Sequence, residues 1–160
     1  MRFRIGFGND VHRLVRGRRL VLGGVLIDAD LGMEGHSDAD VLTHAVMDAV
    51  LGAVGKGDIG RHFPDTDPSL KDADSLVLLR RVVEIMQGEG FRVNNLDATV
   101  VAQRPRLAPH IPDMEGRMAA VLEVSSDRVN VKATTTEGLG YCGRGEAIEA
   151  FAVVSLVGEG

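Results

Sequence analysis

Phe3, Ile5 and Phe7 are apolar side chains on alternate positions near the start of the chain. A period of two reads as a β-strand. Gly6 and Gly8 flank Phe7, so the backbone opens into the segment Asn9-Asp10-Val11-His12. Between Arg19 and Ile27, two apolar triplets surround Gly23-Gly24, which predicts a hairpin or a bent strand. From Asp38 to about Ala53 the period lengthens. Val41, Leu42, Ala45, Val46, Ala49 and Val50 follow the spacing of a helix. Ser37 is the expected N-cap, with Asp38 and Asp40 in the first turn, where the helix dipole favours carboxylates. Gly55 and Gly57 end that helix.

Residues 55–74 read as a long loop rich in Gly, Asp and Pro, and loops of that length are often functional. A second helix is expected over Ser75 to Gln87, with Leu76, Leu79, Val83 and Met86 on one side and Gly88 as its stop. Leu96 to Val101 reads as a strand, Pro112 to Val124 as a third helix, and Val129 to Lys132 and Ala147 to Val157 as strands. No repeat, linker or low-complexity tract interrupts the order. The pattern predicts a single domain over residues 1–160 of α/β (α+β) class, a mixed β-sheet with helices packed on one face.

Composition narrows the function. A hydrophobic content of 44 % supplies a core, and 18 basic against 23 acidic side chains give a net charge of −5. That balance speaks against a general nucleic-acid or anionic-membrane binder, but not against local capture of phosphate. Cys142 is the lone cysteine, so no intrachain disulfide can form. No apolar run approaches the ~18 residues of a membrane span, and no signal peptide is visible, so a cytoplasmic location is the expectation. Aromatic residues make up only 4 %, a weak pointer to stabilisation by association.

Four segments carry candidate chemistry. Asp10 and His12 are two apart, so on extended backbone they point the same way and can meet one ion. His44 lies on the first helix, where Asp40, His44 and Asp48 recur at intervals of four as a polar stripe. Two histidines and a carboxylate are a common catalytic zinc set with one open position, and Asp40 or Asp48 is placed to orient His44. His62 and His110 are also available, so the ligand set stays open on composition. His36-Ser37 precedes a helix N-terminus, where backbone N–H groups attract anions. The stretch from Gly57 to Asp67 holds two aspartates around a threonine after a proline, an Asx turn or a binder of hydroxyls or a cation. Lys132 to Glu137 offers three successive threonines between a lysine and a carboxylate, which suits a phosphate chain with bound Mg²⁺. The four glycines of Gly138 to Gly145 imply backbone packed close to something, such as another subunit.

In order along nearly the whole chain, these segments resemble the 2-C-methyl-D-erythritol 2,4-cyclodiphosphate synthase family. The matching motifs are residues 6–12, 36–44, 57–60, 63–67, 102–106, 109–112, 129–137 and 143–146. Each is weak alone, and the ordered set is specific. The resemblance implies a lyase of the non-mevalonate route of isoprenoid (terpenoid) biosynthesis. It implies that a CDP-linked substrate, 4-diphosphocytidyl-2-C-methyl-D-erythritol 2-phosphate, is cyclised with release of CMP. It implies zinc on Asp10, His12 and His44, and a second divalent metal, Mg²⁺ or Mn²⁺, on Glu137. His36 and Thr135 are implied as catalytic. The implied substrate contacts are Asp10, His12, His36, Ser37, Asp58, Ile59, Gly60, Phe63, Pro64, Asp65, Thr66 and Asp67. Further contacts are Ala102, Arg106, Leu107 and Ala108 at cytidine, and Thr134, Thr135, Thr136, Glu137, Tyr141 and Arg144. It implies a homotrimer with active sites between subunits and a central apolar cavity, with Arg144 and Glu146 at its polar end. Arg106 stands where relatives often carry Lys, and Tyr141 where Phe is common.

Overall fold

A computed structural model describes residues 1–160. Strand β1 runs from Arg2–Val15, well beyond the apolar alternation that announces it. Its long partner β7, Ala147–Gly158, pairs with it antiparallel from Arg2↔Gly158 to Arg13↔Ala147. On its other side β7 pairs antiparallel with β5, Phe91–Val101, which starts five residues before the predicted Leu96. Strand β6, Val129–Thr134, lies parallel to β5, and the short β4, Gly32–Met33, closes the other edge. The sheet order is β4-β1-β7-β5-β6. Strands β2, Leu20–Leu22, and β3, Val25–Ile27, form a separate two-stranded hairpin. Gly23 and Gly24 make its turn with φ of 57° and 74°, the two positive values that a two-residue type I′ turn demands.

Helices α1, Val41–Ala53, α3, Ser75–Gly88, and α4, Ile111–Leu122, cover one face of the sheet. Helix α1 lies directly on β1 and β7, and α3 then covers α1. The polar positions spaced by four along α1 are largely covered: Val41 to Met47, His44 among them, are all buried and Asp48 is half-buried, because α3 packs on this helix. The N-cap also moves. Ala39 bends the chain at φ 57°, and Asp40, fully buried, caps the helix by accepting from Thr43 N at 3.0 Å. Asp40 also accepts from the Thr43 hydroxyl at 2.8 Å and from the hairpin amides Gly23 N and Gly24 N at 2.9 and 2.7 Å. Its carboxylate thus ties the hairpin turn to the start of α1.

The loop predicted over residues 55–74 contains a short helix, α2, Ile59–His62, and a 3₁₀ turn, Pro68–Leu70. The glycine-rich segment after β6 holds the short helix α5, Gly140–Gly143. Within it a Cβ on Gly143 would lie 2.2 Å from the carbonyl carbon of Gly138, while Gly138, Gly140 and Gly145 have open space around their Cβ positions. No helix is long and apolar enough to cross a membrane.

Candidate metal centre and active site

Strand alternation builds the site. From Gly6 onward the even positions of β1 face α1, beginning with Gly6 and Gly8. A Cβ there would sit 1.8 Å from the Ala49 carbonyl oxygen and 1.9 Å from that of Ala45, so only glycine lets the helix lie this close. The same row continues into Asp10 and His12. The helix running above them delivers His44, one turn in from its N-terminus.

The three ligand atoms converge. Asp10 Oδ2 lies 3.0 Å from His12 Nε2 and 3.0 Å from His44 Nδ1, and the two ring nitrogens are 3.3 Å apart. Around zinc, tetrahedral bonds of about 2.0–2.2 Å separate ligand atoms by about 3.3–3.5 Å, so this triangle fits a divalent ion after a slight opening. The side chains are only 25 %, 20 % and 11 % exposed for Asp10, His12 and His44. The far side of each ring is also occupied. His12 Nδ1 donates to the Glu34 carbonyl at 2.7 Å, which frees Nε2 as a ligand. His44 Nε2 lies 2.9 Å from the hydroxyl of Ser75 and 3.2 Å from that of Ser37.

The electrostatics point the same way. Burial pushes the Asp10 carboxyl up, but hydrogen bonds from His12 and His44 and their charges outweigh it and hold it down at about 2. Burial pushes His12 down, and the Asp10 carboxylate with the Glu34 carbonyl more than reverses that, leaving it raised. A permanent anion beside two inward-facing imidazole nitrogens is a cation site. His62 and His110 stand outside it, His62 donating instead to the Lys56 carbonyl at 2.7 Å.

Asp40 and Asp48 do not orient His44. Asp40 spends its acceptors on the cap and the hairpin, and Asp48 accepts from Ile59 N at 2.8 Å. The group behind His44 is Ser75, fully buried at the start of α3. Nothing in the sequence flags it, because Asp74-Ser75 reads as a helix cap, and Asp74 does cap α3 by accepting from Leu76 N at 2.9 Å.

The remaining candidates form two further groups. His36 donates from Nε2 to the Asp67 carbonyl at 2.9 Å, and Asp72 N donates to the His36 carbonyl at 2.8 Å, so residues 36–38 and 67–75 are laced together beside the metal triad. Asp58 caps α2 through Arg61 N at 3.0 Å and is exposed, and Ile59 and Gly60 open that helix. Phe63 closes α2, Pro64, Asp65 and Thr66 are exposed, and Asp67 caps the 3₁₀ turn. The second group lies at the end of β6. Thr134, Thr135 and Glu137 are exposed and Thr136 is partly buried; Glu137 stands at φ 56° with its N–H donating to Thr135 Oγ1 at 3.2 Å. Glu137 joins no cluster of metal-ligating side chains.

Ala102 and Leu107 are 6 % and 3 % exposed and pack in the core, so they offer a ligand mostly main chain; Arg106 and Ala108 are exposed. Arg106 and Arg144 share a cleft of about 920 Å³ with Asp28, Asp30, Gln103 and Arg104, and no residue of the metal triad lines it. Tyr141 donates its hydroxyl to Glu149 and is pushed up to about 12 by that hydrogen bond. Arg144 forms an exposed pair with Glu146 at 3.1 Å.

A model of the YgbB family matches residues 3–157. The 2-C-methyl-D-erythritol 2,4-cyclodiphosphate synthase of Geotalea uraniireducens (strain Rf4) is 61 % identical over 153 residues, which is 96 % of this chain and 98 % of that protein. Among solved structures, the bifunctional IspDF from Campylobacter jejuni superposes with a TM-score of 0.95 at 42 % identity over 99 % of this chain and 43 % of that one. This chain therefore spans less than half of that protein. The CDP complex of IspF from Plasmodium falciparum superposes with a TM-score of 0.86 at 32 % identity, over 99 % of this chain and 97 % of that one.

Proposed function

The chain belongs to the YgbB family, and we propose that it converts 4-diphosphocytidyl-2-C-methyl-D-erythritol 2-phosphate to 2-C-methyl-D-erythritol 2,4-cyclodiphosphate and CMP. It is an enzyme of this family, and the reaction is the lyase step of non-mevalonate isoprenoid synthesis. An oxygen of the substrate's 2-phosphate attacks the β-phosphorus, the β-phosphorus–oxygen bond to CMP breaks, and the ring closes. The substrate carries its own nucleophile, so the protein's task is positioning and charge neutralisation. The observation that carries the reading is the convergence of Asp10, His12 and His44 within 4.8 Å of one another, with the chemistry of a three-ligand zinc site.

Bound zinc at that triad, and Mg²⁺ or Mn²⁺ at Glu137 with the diphosphate, supply Lewis-acid polarisation and charge neutralisation of the phosphate oxygens. His36 and Ser37, beside the triad, hold the reacting phosphate end. Asp58 to Gly60 and Phe63 to Asp67 take the methylerythritol hydroxyls. Ala102 and Arg106 to Ala108 wall cytidine. Thr134 to Glu137 hold the CDP phosphates, with Thr135 stabilising the transition state, while Tyr141 and Arg144 complete the site. The CDP complex of the Plasmodium falciparum relative supports a cytidine nucleotide as ligand.

The working form is a homotrimer with each site shared between neighbours. Supporting this, the odd positions of β1 leave Phe3, Ile5, Phe7 and Val11 at 57 %, 65 %, 61 % and 45 % exposed on the sheet face without helices. So large an apolar strip calls for a partner.

The test pairs metal content with product identity. The purified chain should hold about one zinc per subunit and release CMP with cyclic diphosphate. His44→Ala should lose most of the zinc and at least about a thousandfold in rate, since two ligands hold the ion poorly. Full zinc occupancy in that variant, or free phosphate as the parent's product, overturns the assignment.

A further inference from the structure

Asp10 creates a difficulty for the site it anchors. Its carboxylate lies 3.0 Å from His44 Nδ1 and draws the imidazole proton to that nitrogen, which is the one aimed at the metal. A proton there blocks binding. For His12 the problem is solved locally, because the Glu34 carbonyl takes the proton on the far nitrogen at 2.7 Å. His44 lies within a helix and has a hydroxyl behind it instead. A hydroxyl can donate or accept, so by itself it does not choose the tautomer.

The choice is made one step further back. The Ser75 hydroxyl also contacts Asp38 Oδ1, and Ser75 N donates to Asp38 Oδ2 at 2.9 Å. A carboxylate only accepts, so the serine proton is committed to Asp38. Ser75 Oγ then meets His44 Nε2, at 2.9 Å, as an acceptor, and Nε2 must carry the proton. Ser37 Oγ shares that N–H from 3.2 Å. We propose that Asp38 and Ser75 are positioning residues that hold the His44 proton on Nε2 and so keep Nδ1 free for the metal. This inference rests on the zinc reading above. Ser75 is fully buried and Asp38 is anchored by two hydrogen bonds besides the serine hydroxyl, the second from Asp40 N at 3.1 Å, so the relay is rigid.

The experiment compares zinc affinity, by chelator competition, with the protonation of His44 read by ¹⁵N NMR in zinc-free protein at about pH 8.5. In the parent, His44 carries a proton on Nε2. Ser75→Ala should weaken zinc binding by about 10- to 100-fold, the range seen when the group behind a metal-bound histidine is lost. Asp38→Asn keeps the serine hydroxyl but frees its proton to turn toward His44. That variant should also bind zinc more weakly, with the sole imidazole proton moved to Nδ1. Parental zinc affinity in both variants overturns the proposal. So does weakened binding with unchanged protonation of His44, which would mark a merely structural role. The parent alone provides a third check, because a sole proton on Nδ1 in the zinc-free protein overturns the proposal without any variant. A parent that binds no zinc overturns the zinc reading itself, and this inference with it.

Discussion

The two rows of strand β1 have opposite fates. The even row, Gly6, Gly8, Asp10 and His12, finds its partner inside the chain, in the backbone of α1 and in His44. The odd row, Phe3, Ile5, Phe7 and Val11, stays exposed on an open sheet face, where Phe7 stacks on its strand neighbour Phe151. One strand thus completes a metal centre on one side and leaves an apolar surface unpaired on the other. The contrast separates what the chain assembles within itself from what it leaves uncovered. The metal triad needs only strand alternation and one close helix. The β6 end, where Thr134, Thr135 and Glu137 lie exposed, resembles the odd row, with polar groups available and nothing yet gathered around them.

Breaking the even row should have the largest effect. Gly8→Ala places a methyl 1.9 Å from the Ala45 carbonyl oxygen, which is backbone and cannot rotate away, so α1 must shift. The expected cost is about 3 kcal/mol of stability, read as a lower midpoint in chemical denaturation, together with at least about a tenfold weaker hold on zinc as His44 moves. An unchanged midpoint would mean that the helix has slack that the glycine row denies.

The odd row should break differently. Ile5→Asp puts a carboxylate into the proposed subunit contact, where burying a charge is costly. Light scattering should report a fall from about three chains toward one, while zinc per chain stays at the parent level. Loss of zinc alongside loss of mass would show that the two rows are coupled.

Acid sharpens the even row further. His12 must lose its proton to bind metal, and its pKa is raised above the ordinary value because the Asp10 carboxylate and Glu34 carbonyl outweigh its burial. Protons therefore compete with zinc from a higher pH than for an isolated histidine. Below the raised pKa, affinity should fall about tenfold per pH unit for this one proton, and above it the dependence on His12 flattens. Apparent zinc affinity measured from about pH 8.5 down to about pH 5.5 checks this, and a flat profile would remove His12 from the ligand set.

The smallest effect is expected at the open end of β6. Glu137→Gln should leave zinc untouched and raise the Mg²⁺ needed for half-maximal rate by a few-fold, because a neutral amide is a poor magnesium ligand. Overlaid titrations would take Glu137 out of the second-metal role.

Much of the metal centre is legible in the order of residues. Asp10 and His12 two apart, and His44 in a helical apolar pattern, are legible as candidate ligands, because strand and helix periods are local properties of the backbone; spacing leaves His62 and His110 open, and the family resemblance selects the three. The elements themselves are also readable, with boundaries off where pairing extends them: β1 runs on because β7 partners it as far as Arg13 and β4 partners Leu14 and Val15. The order of elements, the alternation on β1 and the residue types at the site are thus written locally along the chain. Tertiary structure alone decided the rest. Packing of α3 buried His44 with the rest of Val41 to Met47, and Asp40 went to the hairpin turn and the helix cap. The same packing carried Ser75, far along the chain and indistinguishable from a capping serine, to the back of His44. The reason is physical: periodicity is written residue by residue, whereas a hydrogen bond between two buried side chains exists only once two helices are pressed together.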